Sequence, residues 1–486
     1  MVAIRDLIVT GGQQGGEKEG KGEKEGKGEK EGKEGGWQSG ELVSIQGWVE
    51  KVRDQSKFVF LVVRDGCLAS DRIQVVIKKV DHEADILSQL MLEVYVKITG
   101  IVSLLPAKQH SWRGEEISTV TDIAVLGKSS PDYASKWPSD AGDKLTDRHM
   151  FLRQPDFAKM IALRSAVVAC LRKHFLSSRC TEIFPASFVS NQCEGGATLF
   201  HLKHPAKDSD DMDCYLTQSS QFYLEYAIPA VGDCYCIAPS FRAERSHTRR
   251  HLTEFLHAEA EWTGITTLQS HMDKLTQLLQ QTVYYLMTDY SQLLVEMKLK
   301  ERVDELRAMT QDIMVLDHAE AIRLCNEYGF VKETKVGDDI VLVPFGERDD
   351  IPEKQERQLI DKIGKIVFLV RFPIEEKSFY MKRDPSDPTR VLGVDVEAPA
   401  VFGCGGVGEI IGSGVRVSDH DELLERLDKQ GLKPSEYKEY LDLRKYGHGQ
   451  TSGMGMGVDR FITWISGKSS IRDIVTYPRY PGHLIP

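Results

Sequence analysis

The chain has 486 residues, 41% of them hydrophobic, which is enough apolar material for more than one core. With 73 Asp and Glu against 62 Lys and Arg its formal charge is −11, which excludes RNA binding over the whole surface and confines nucleic-acid contacts to local basic patches. Nine scattered cysteines suggest a reducing compartment without disulfides, and no apolar run reaches membrane-spanning length, so a soluble protein with no membrane partner is expected.

Residues 1–36 contain a near-repeat of Gly-Glu-Lys-Glu-Gly-Lys between Gly16 and Lys33 and predict a disordered tail. Its acids and bases nearly cancel, which favours a flexible tail over an RNA-binding arm. Met1 to Thr10 has neither the hydrophobic stretch nor the arginine-rich amphipathic pattern of a targeting peptide. From Leu42 the pattern becomes short strands: Val43–Val49, Phe58–Val63, Ile73–Ile77, Tyr95–Val102 and Ile117–Leu126. Five strands at this spacing suit a small OB-type barrel over residues 37–130. On this reading Phe60 is either core or an exposed aromatic. Residues 131–155 mix Asp, Ser, Pro and Trp without period and read as a hinge, leaving 156–486 for a second domain.

Met160 to Phe188 predicts a helix with Leu163, Val167, Cys170, Leu171 and His174 on one side, then an extended run whose Pro185 suggests an edge or an interface. Lys203 to Asp213 reads as a solvent loop. Asp233 to Glu261 predicts two antiparallel strands joined by the basic loop Arg245–His251. Ser240, Arg242 and Glu244 share one face of the first strand, and Phe255, His257, Glu259 and Glu261 one face of the second. Such a face is either merely solvated or built for an anion and a purine: Arg242 would hold a phosphate by forked hydrogen bonds, and Phe255 would stack on the base. The pair Cys234 and Cys236 lacks a second pair and reads as structural rather than zinc-binding.

Leu268 to Met297 predicts one helix burying Met272, Leu275, Leu279, Val283 and Leu286; Lys298 to Arg307 reads as a solvated helix. A further helix is expected from Asp317, with Glu320 completing a capping box and Gly329 ending it. Gly408 to Arg416 is a glycine-flanked strand carrying Glu409 and Arg416, charges costly to bury unless paired. Gly453 to Gly457 reads as a glycine-punctuated strand entering a helix that buries Val458, Phe461, Ile462 and Ile465, with Arg460 in its first turn.

The Met160–Phe188, Asp233–Glu261 and Gly453–Arg460 stretches, in this order, resemble motifs 1, 2 and 3 of the class II aminoacyl-tRNA synthetases. More narrowly, Glu194-Gly-Gly-Ala, Thr217-Gln-Ser-Ser-Gln221, Phe372-Pro-Ile-Glu-Glu-Lys-Ser-Phe-Tyr-Met381 and Arg444-Lys-Tyr-Gly447 are similar to the asparaginyl branch of the eukaryotic cytosol. The resemblance implies an α+β chain: an N-terminal OB-fold β-barrel plus a class II catalytic domain on a mostly antiparallel sheet flanked by helices. It further implies a cytoplasmic homodimer, paired through the motif 1 helix and strand, that joins L-asparagine to tRNA(Asn) using ATP and Mg²⁺.

By the same resemblance Arg242, Glu409 and Arg460 are catalytic, and Glu194, Ser219, Gln221, Glu259 and Arg416 bind the amino acid. Glu244, Arg250, His251, Leu252 and Phe255 join Arg242, Glu409 and Arg460 around ATP, and Asp395 and Glu409 hold the metal. The segment Ala398–Gly406 between Asp395 and Glu409 is longer than the family pattern. In the barrel, Phe60 stacks on an anticodon base, Gln74 hydrogen-bonds it and Arg53 meets nearby backbone. Leu224 stands where aspartyl enzymes place a lysine against the substrate carboxylate, and Glu259 would accept from an amide. The alternatives are an aspartyl-tRNA synthetase, an asparagine synthetase-like paralogue that has lost tRNA, and a non-catalytic RNA-binding protein.

Overall fold

The computed structural model describes residues 38–105, 114–136, 143–190, 198–205, 207, 211–246, 248–336 and 339–485. The expected tail, 1–36, lies outside them. Contacts divide the chain into two compact units, Met1–Lys159 and Met160–Pro486.

In the first unit β1 (Leu42–Asp54), β2 (Phe58–Arg64), β3 (Arg72–Lys78), β4 (Tyr95–Leu104) and β5 (Glu115–Gly127) close into a barrel in the order β1-β2-β3-β5-β4. Only the β3–β5 pair is parallel. Alternation drives closure: Val59, Leu61, Val63, Ile73, Val75 and Ile77 turn inward into one apolar core, leaving their neighbours on the outer surface. The stretch read as an aperiodic hinge carries three short helices, Tyr133–Lys136, Asp143–Thr146 and Arg148–Phe151. There the buried Arg148 guanidinium sits 4.2 Å from the Phe157 ring centroid. A cation–aromatic contact of this kind leaves no periodic trace in sequence.

The second unit is built on an eight-stranded sheet, in the order Met314–Asp317, Val367–Val370, Gly393–Ala398, Gly408–Val415, Thr451–Gly457, Glu254–Thr263, Cys234–Phe241 and Thr181–Glu182. Pairing is antiparallel through the middle and parallel at both ends. The predicted helix runs Pro155–Ser177 and buries Leu163, Val167, Cys170, Leu171 and His174. Phe175, on the same helix, stacks on Tyr235 of the sheet at 4.4 Å. That apolar face is therefore covered within the chain and is not free for a second copy. The extended run after it is two short strands, Thr181–Glu182 and Phe188–Val189, with Pro185 between them, because proline has no N–H to continue a ladder.

Three further expectations change. The helix expected over Leu268–Met297 breaks at Tyr290 into Leu268–Asp289 and Ser291–Glu296, though its predicted apolar face is buried throughout. Helix Lys300–Met309 is not merely solvated: it buries Arg302, Val303 and Leu306. The Arg302 guanidinium donates to the carbonyls of Trp464, Ile465 and Val401, so it closes the C-terminal end of helix Val458–Ser466. Asp317 caps His318–Glu327 by accepting from the Ala319 N–H, but Glu320 pairs with Arg323 instead of completing a capping box. Lys203 and Asp213, expected at the ends of a solvent loop, instead face each other across the antiparallel strands His201–His204 and Met212–Leu216, in which only Cys214 is buried.

Candidate active site

The expected antiparallel hairpin forms, with Cys236 opposite Glu259 and Cys234 opposite Glu261. Its first strand ends at Phe241, so Arg242 and Glu244 leave the regular ladder, although the Arg242 N–H still donates to the Thr253 carbonyl. Beside it, Thr451–Gly457 sets Gly453 opposite Glu261, Gly455 opposite Glu259 and Gly457 opposite His257. A Cβ at Gly453 would collide with the Glu261 carboxylate, and one at Gly455 would lie 2.5 Å from His257 Nε2. Glycine is required there because polar side chains of the neighbouring strand lie across its backbone. The result is a stretch of bare backbone at Gly455 and Gly457 in the wall of a cavity of about 250 Å³.

At one end Ser219, Gln221, Glu259 and Arg416 line this cavity. Glu259 accepts from Ser219 Oγ at 2.5 Å and from the Ser220 N–H at 2.9 Å, so its carboxylate is already held by the segment before the Gln221–Val231 helix. Arg416 meets Glu261 instead, at 2.5 Å. Behind it, Glu225 accepts from Gln221, Tyr440 and Arg444, the last at 2.6 Å. Burial would raise the Glu225 carboxyl, but Arg444 and Arg416 outweigh it and hold it below the usual range. Burial pushes Glu261 up to about 8 against the pull of Arg416, with Glu225 adding to the rise. Leu224 does not line the cavity; it packs with Ile228, Cys234 and Cys236. Glu194 lies outside the described residues.

Around the other end the Arg242 guanidinium lies 5.6 Å from the Phe255 ring centroid. Glu244, His251 and Leu252 line the same wall, and Arg250 donates to the Val407 carbonyl at 2.9 Å. His251 is pushed down to about 4, by burial first and then by Arg460 and Arg250, which keeps a neutral imidazole among the arginines. Arg460 donates to the Glu409 carbonyl and carboxylate at 3.1 and 3.3 Å. Burial raises Glu409, yet Arg460, Arg250 and Lys377 together hold it at about 2.

Asp395, ion-paired to Lys377 at 2.5 Å, is raised to about 6 by burial, which Lys377 opposes and Glu409 reinforces. The long segment before Glu409 does not separate the two acids. Asp395 pairs in register with Gly412, and a Cβ there would lie 3.0 Å from a Glu409 oxygen and 3.9 Å from an Asp395 oxygen. Among the described residues no three His, Cys, Asp or Glu side chains form a metal cage. Two carboxylates over a glycine nonetheless suit Mg²⁺, which commonly takes one or two protein carboxylates and completes its shell with phosphates and water.

Sequence reasoning missed Glu225, Glu261, Lys377 and Tyr440. Glu261 shares the alternation of Phe255, His257 and Glu259, which was a usable signal. Lys377 and Arg444 sat inside family-like runs without a role, and nothing local marks Glu225 or Tyr440.

In the barrel, Phe60 lies on the outer face, half-buried, while Val59 and Leu61 fill the core. This excludes the core reading. Arg53, opposite Phe60 in register, holds its guanidinium 5.0 Å from the ring centroid. Gln74, opposite Val62 on the same face, donates to Glu116 at 2.7 Å.

The family described as tRNA synthetases class II (D, K and N) matches residues 141–481, and the OB-fold nucleic acid binding domain matches residues 43–120. The cytoplasmic asparagine–tRNA ligase of Homo sapiens is 36% identical over 452 residues, covering 91% of this chain and 76% of that protein. Its Dictyostelium discoideum counterpart is 36% identical over 449 residues, and the chain spans 65% of its length. Among solved structures, Entamoeba histolytica asparaginyl-tRNA synthetase with asparaginyl-adenylate superposes with a TM-score of 0.78 at 32% identity, covering 93% of this chain and 98% of that one. The Pyrococcus horikoshii enzyme with the same adenylate gives 0.77 at 31% identity, covering 92% and 97%.

Proposed function

The chain belongs to the class II tRNA synthetases of the D, K and N group, and we propose that it is an asparagine–tRNA ligase, activating L-asparagine with ATP and transferring it to tRNA(Asn) in the cytoplasm. The observation that carries the choice of amino acid is the charge balance around Arg416. Two buried arginines, Arg416 and Arg444, are matched by two buried carboxylates, Glu261 and Glu225. Burial and Glu225 already push Glu261 up to about 8 against the pull of Arg416, so an aspartate would be a third carboxylate at a site where one of its own two is only partly charged, whereas a neutral amide adds no charge. Leu224, packed in an apolar cluster, supplies no further cation.

Activation brings the substrate α-carboxylate against the α-phosphate of ATP, so the site must neutralise and align two anions. Arg242 meets both groups, Phe255 covers one adenine face, and Arg460 takes the γ-phosphate and the other face. Arg250, His251, Leu252 and Glu244 complete the nucleotide wall. Ser219 is fixed by Glu259, and Gln221 with Glu194 holds the α-amino group. Mg²⁺ would be held by Asp395 and Glu409 and would supply positive charge to the polyphosphate. Lys377 and Arg460 keep those carboxylates in place beforehand.

On the barrel, Arg53, Phe60 and Gln74 form the anticodon-reading face. A homodimer would cover Leu176, Phe184 and Phe188, which at 62%, 86% and 57% exposure leave apolar surface beside the motif 1 helix. ATP–pyrophosphate exchange with asparagine and with aspartate, followed by charging of transcribed tRNA(Asn), tests the reading. Exchange with aspartate alone would overturn the amino-acid assignment. Sedimentation of a Phe184→Asp variant tests the dimer, which is refuted if the parent protein is an active monomer at micromolar concentration.

A further inference from the structure

The long segment between Asp395 and Glu409 has a built form. Val401 and Cys404 exchange backbone hydrogen bonds of 3.0 and 3.1 Å, and the two residues between them, Phe402 and Gly403, both have positive φ, +48° and +74°. This is the condition for a tight hairpin turn of the type I′ class, in which a bulky aromatic is unfavourable. The turn is anchored on every side. Arg302 donates to the Val401 carbonyl at 2.7 Å, Trp464 Nε1 to the Pro399 carbonyl at 2.9 Å, and Arg250 to the Val407 carbonyl at 2.9 Å. Asp361 accepts from the N–H groups of Ala400 and Gly406 at 2.7 and 3.1 Å. A scaffold this determined holds Phe402 out at 64% exposure in a strained conformation, and such strain persists where the surroundings over-determine it.

Beside the turn lies a second cavity of about 510 Å³, lined by Gly403, Gly405, Arg249, Arg357 and Lys468. Arg250 lines both this cavity and the activation cavity, so they share a wall. Arg357 is partly offset by Glu353 and Asp361 at 3.5 and 3.9 Å, whereas among the described residues Arg249 and Lys468 have no carboxylate partner. Uncompensated cations on a chain of charge −11 mark a local anion site.

We propose that Phe402 and this basic cavity bind the unpaired terminal nucleotides of the RNA substrate, one base stacking on Phe402 while backbone phosphates meet Arg249, Arg357 and Lys468. The inference rests on the proposed ligase function: the RNA's terminal hydroxyl must reach the activated amino acid, so the last nucleotides must pass beside the activation cavity. An exposed ring accepts any base, and cations accept any phosphate, which suits an unpaired strand.

The test is a binding titration of the full-length protein with two minihelix RNAs, one carrying the unpaired 3′ nucleotides and one blunt-ended. Phe402→Ala is expected to weaken the tailed RNA by about 5- to 150-fold and leave the blunt one unchanged. Lys468→Ala is expected to lower the salt dependence of tailed-RNA binding by about one phosphate contact. Asparagine-dependent pyrophosphate exchange, which uses no RNA, should be unaffected in both variants. Equal binding of the tailed RNA by Phe402→Ala and the parent protein overturns the proposal. So does loss of exchange, which would assign the turn to the nucleotide pocket, or a change in sedimentation, which would assign Phe402 to contact with a second copy. Absence of asparagine exchange in the parent protein would sink the amino-acid assignment, and the RNA titration would still decide this one.

Discussion

Arg53 and Phe60 meet across neighbouring strands of the barrel, few residues apart in the chain, at a partly exposed surface. Arg416 and Glu261 meet across the sheet of the second unit, 155 residues apart and both nearly inaccessible to solvent. Both pairs bring an arginine to a partner with an electron-rich surface, yet the energetics differ. On the barrel water screens the cation, and removing one side chain costs little beyond the contact itself. In the cavity each charge was desolvated on folding, and removing one leaves its partner buried without compensation. The barrel face should therefore respond to substitution locally, and the cavity as a coupled network.

The largest effect expected from this contrast is on Arg416→Met, which strands Glu261 while Glu225 keeps its bond to Arg444. It should destabilise the second unit by about 3–5 kcal/mol in a denaturant titration. Adding Glu261→Gln should recover part of the loss, and additive losses in the double variant would break the idea of a coupled pair.

Next comes Arg242→Ala. Its guanidinium lies in the cavity wall beside the Phe255 ring, so the fold should survive while pyrophosphate exchange falls by about 10²- to 10³-fold. A folded variant with near-normal exchange would remove Arg242 from the reaction.

On the barrel, Phe60→Ala should weaken tRNA binding by about 1–3 kcal/mol with pyrophosphate exchange unchanged. Because Phe60 lies outside the core, the barrel's melting transition should stay in place; a lowered melt with normal charging would make Phe60 a packing residue after all.

The smallest effect sharpens the contrast through pH. His271, fully buried against Ser452, is lowered from 6.5 to about 3, by burial first and then by Arg416. It is neutral in the fold, so the unfolded chain binds the extra proton once pH falls below about 6.5. This site's stability contribution is thus complete above pH 6.5 and declines toward pH 3, by up to ~1.4 kcal/mol per pH unit. Melting of the second unit followed from pH 7 to 5.5 should show the decline, and His271→Gln should flatten it. An unchanged slope in the variant would exonerate this histidine.

Elements with a periodic pattern of apolar residues were readable from the chain alone. The barrel strands, the buried face of the Pro155–Ser177 helix, the alternation of the hairpin and the glycine strand were all legible, because period 2 or 3.6 assigns each side chain to a face. Even the position of Phe60 was implicit in Val59, Leu61 and Val63, which claim the opposite face. Which charges meet follows from the folded arrangement. Glu259 and Glu261 are indistinguishable by alternation, and only the placement of the elements carrying Ser219 and Arg416 gives the first carboxylate to a serine and the second to the arginine. Arg302 likewise reads as solvated until helix Val458–Ser466 ends above it with unpaired carbonyls. Faces follow from the local backbone, whereas the partners of buried charges depend on strand order and register across segments far apart in the chain, which no local pattern encodes.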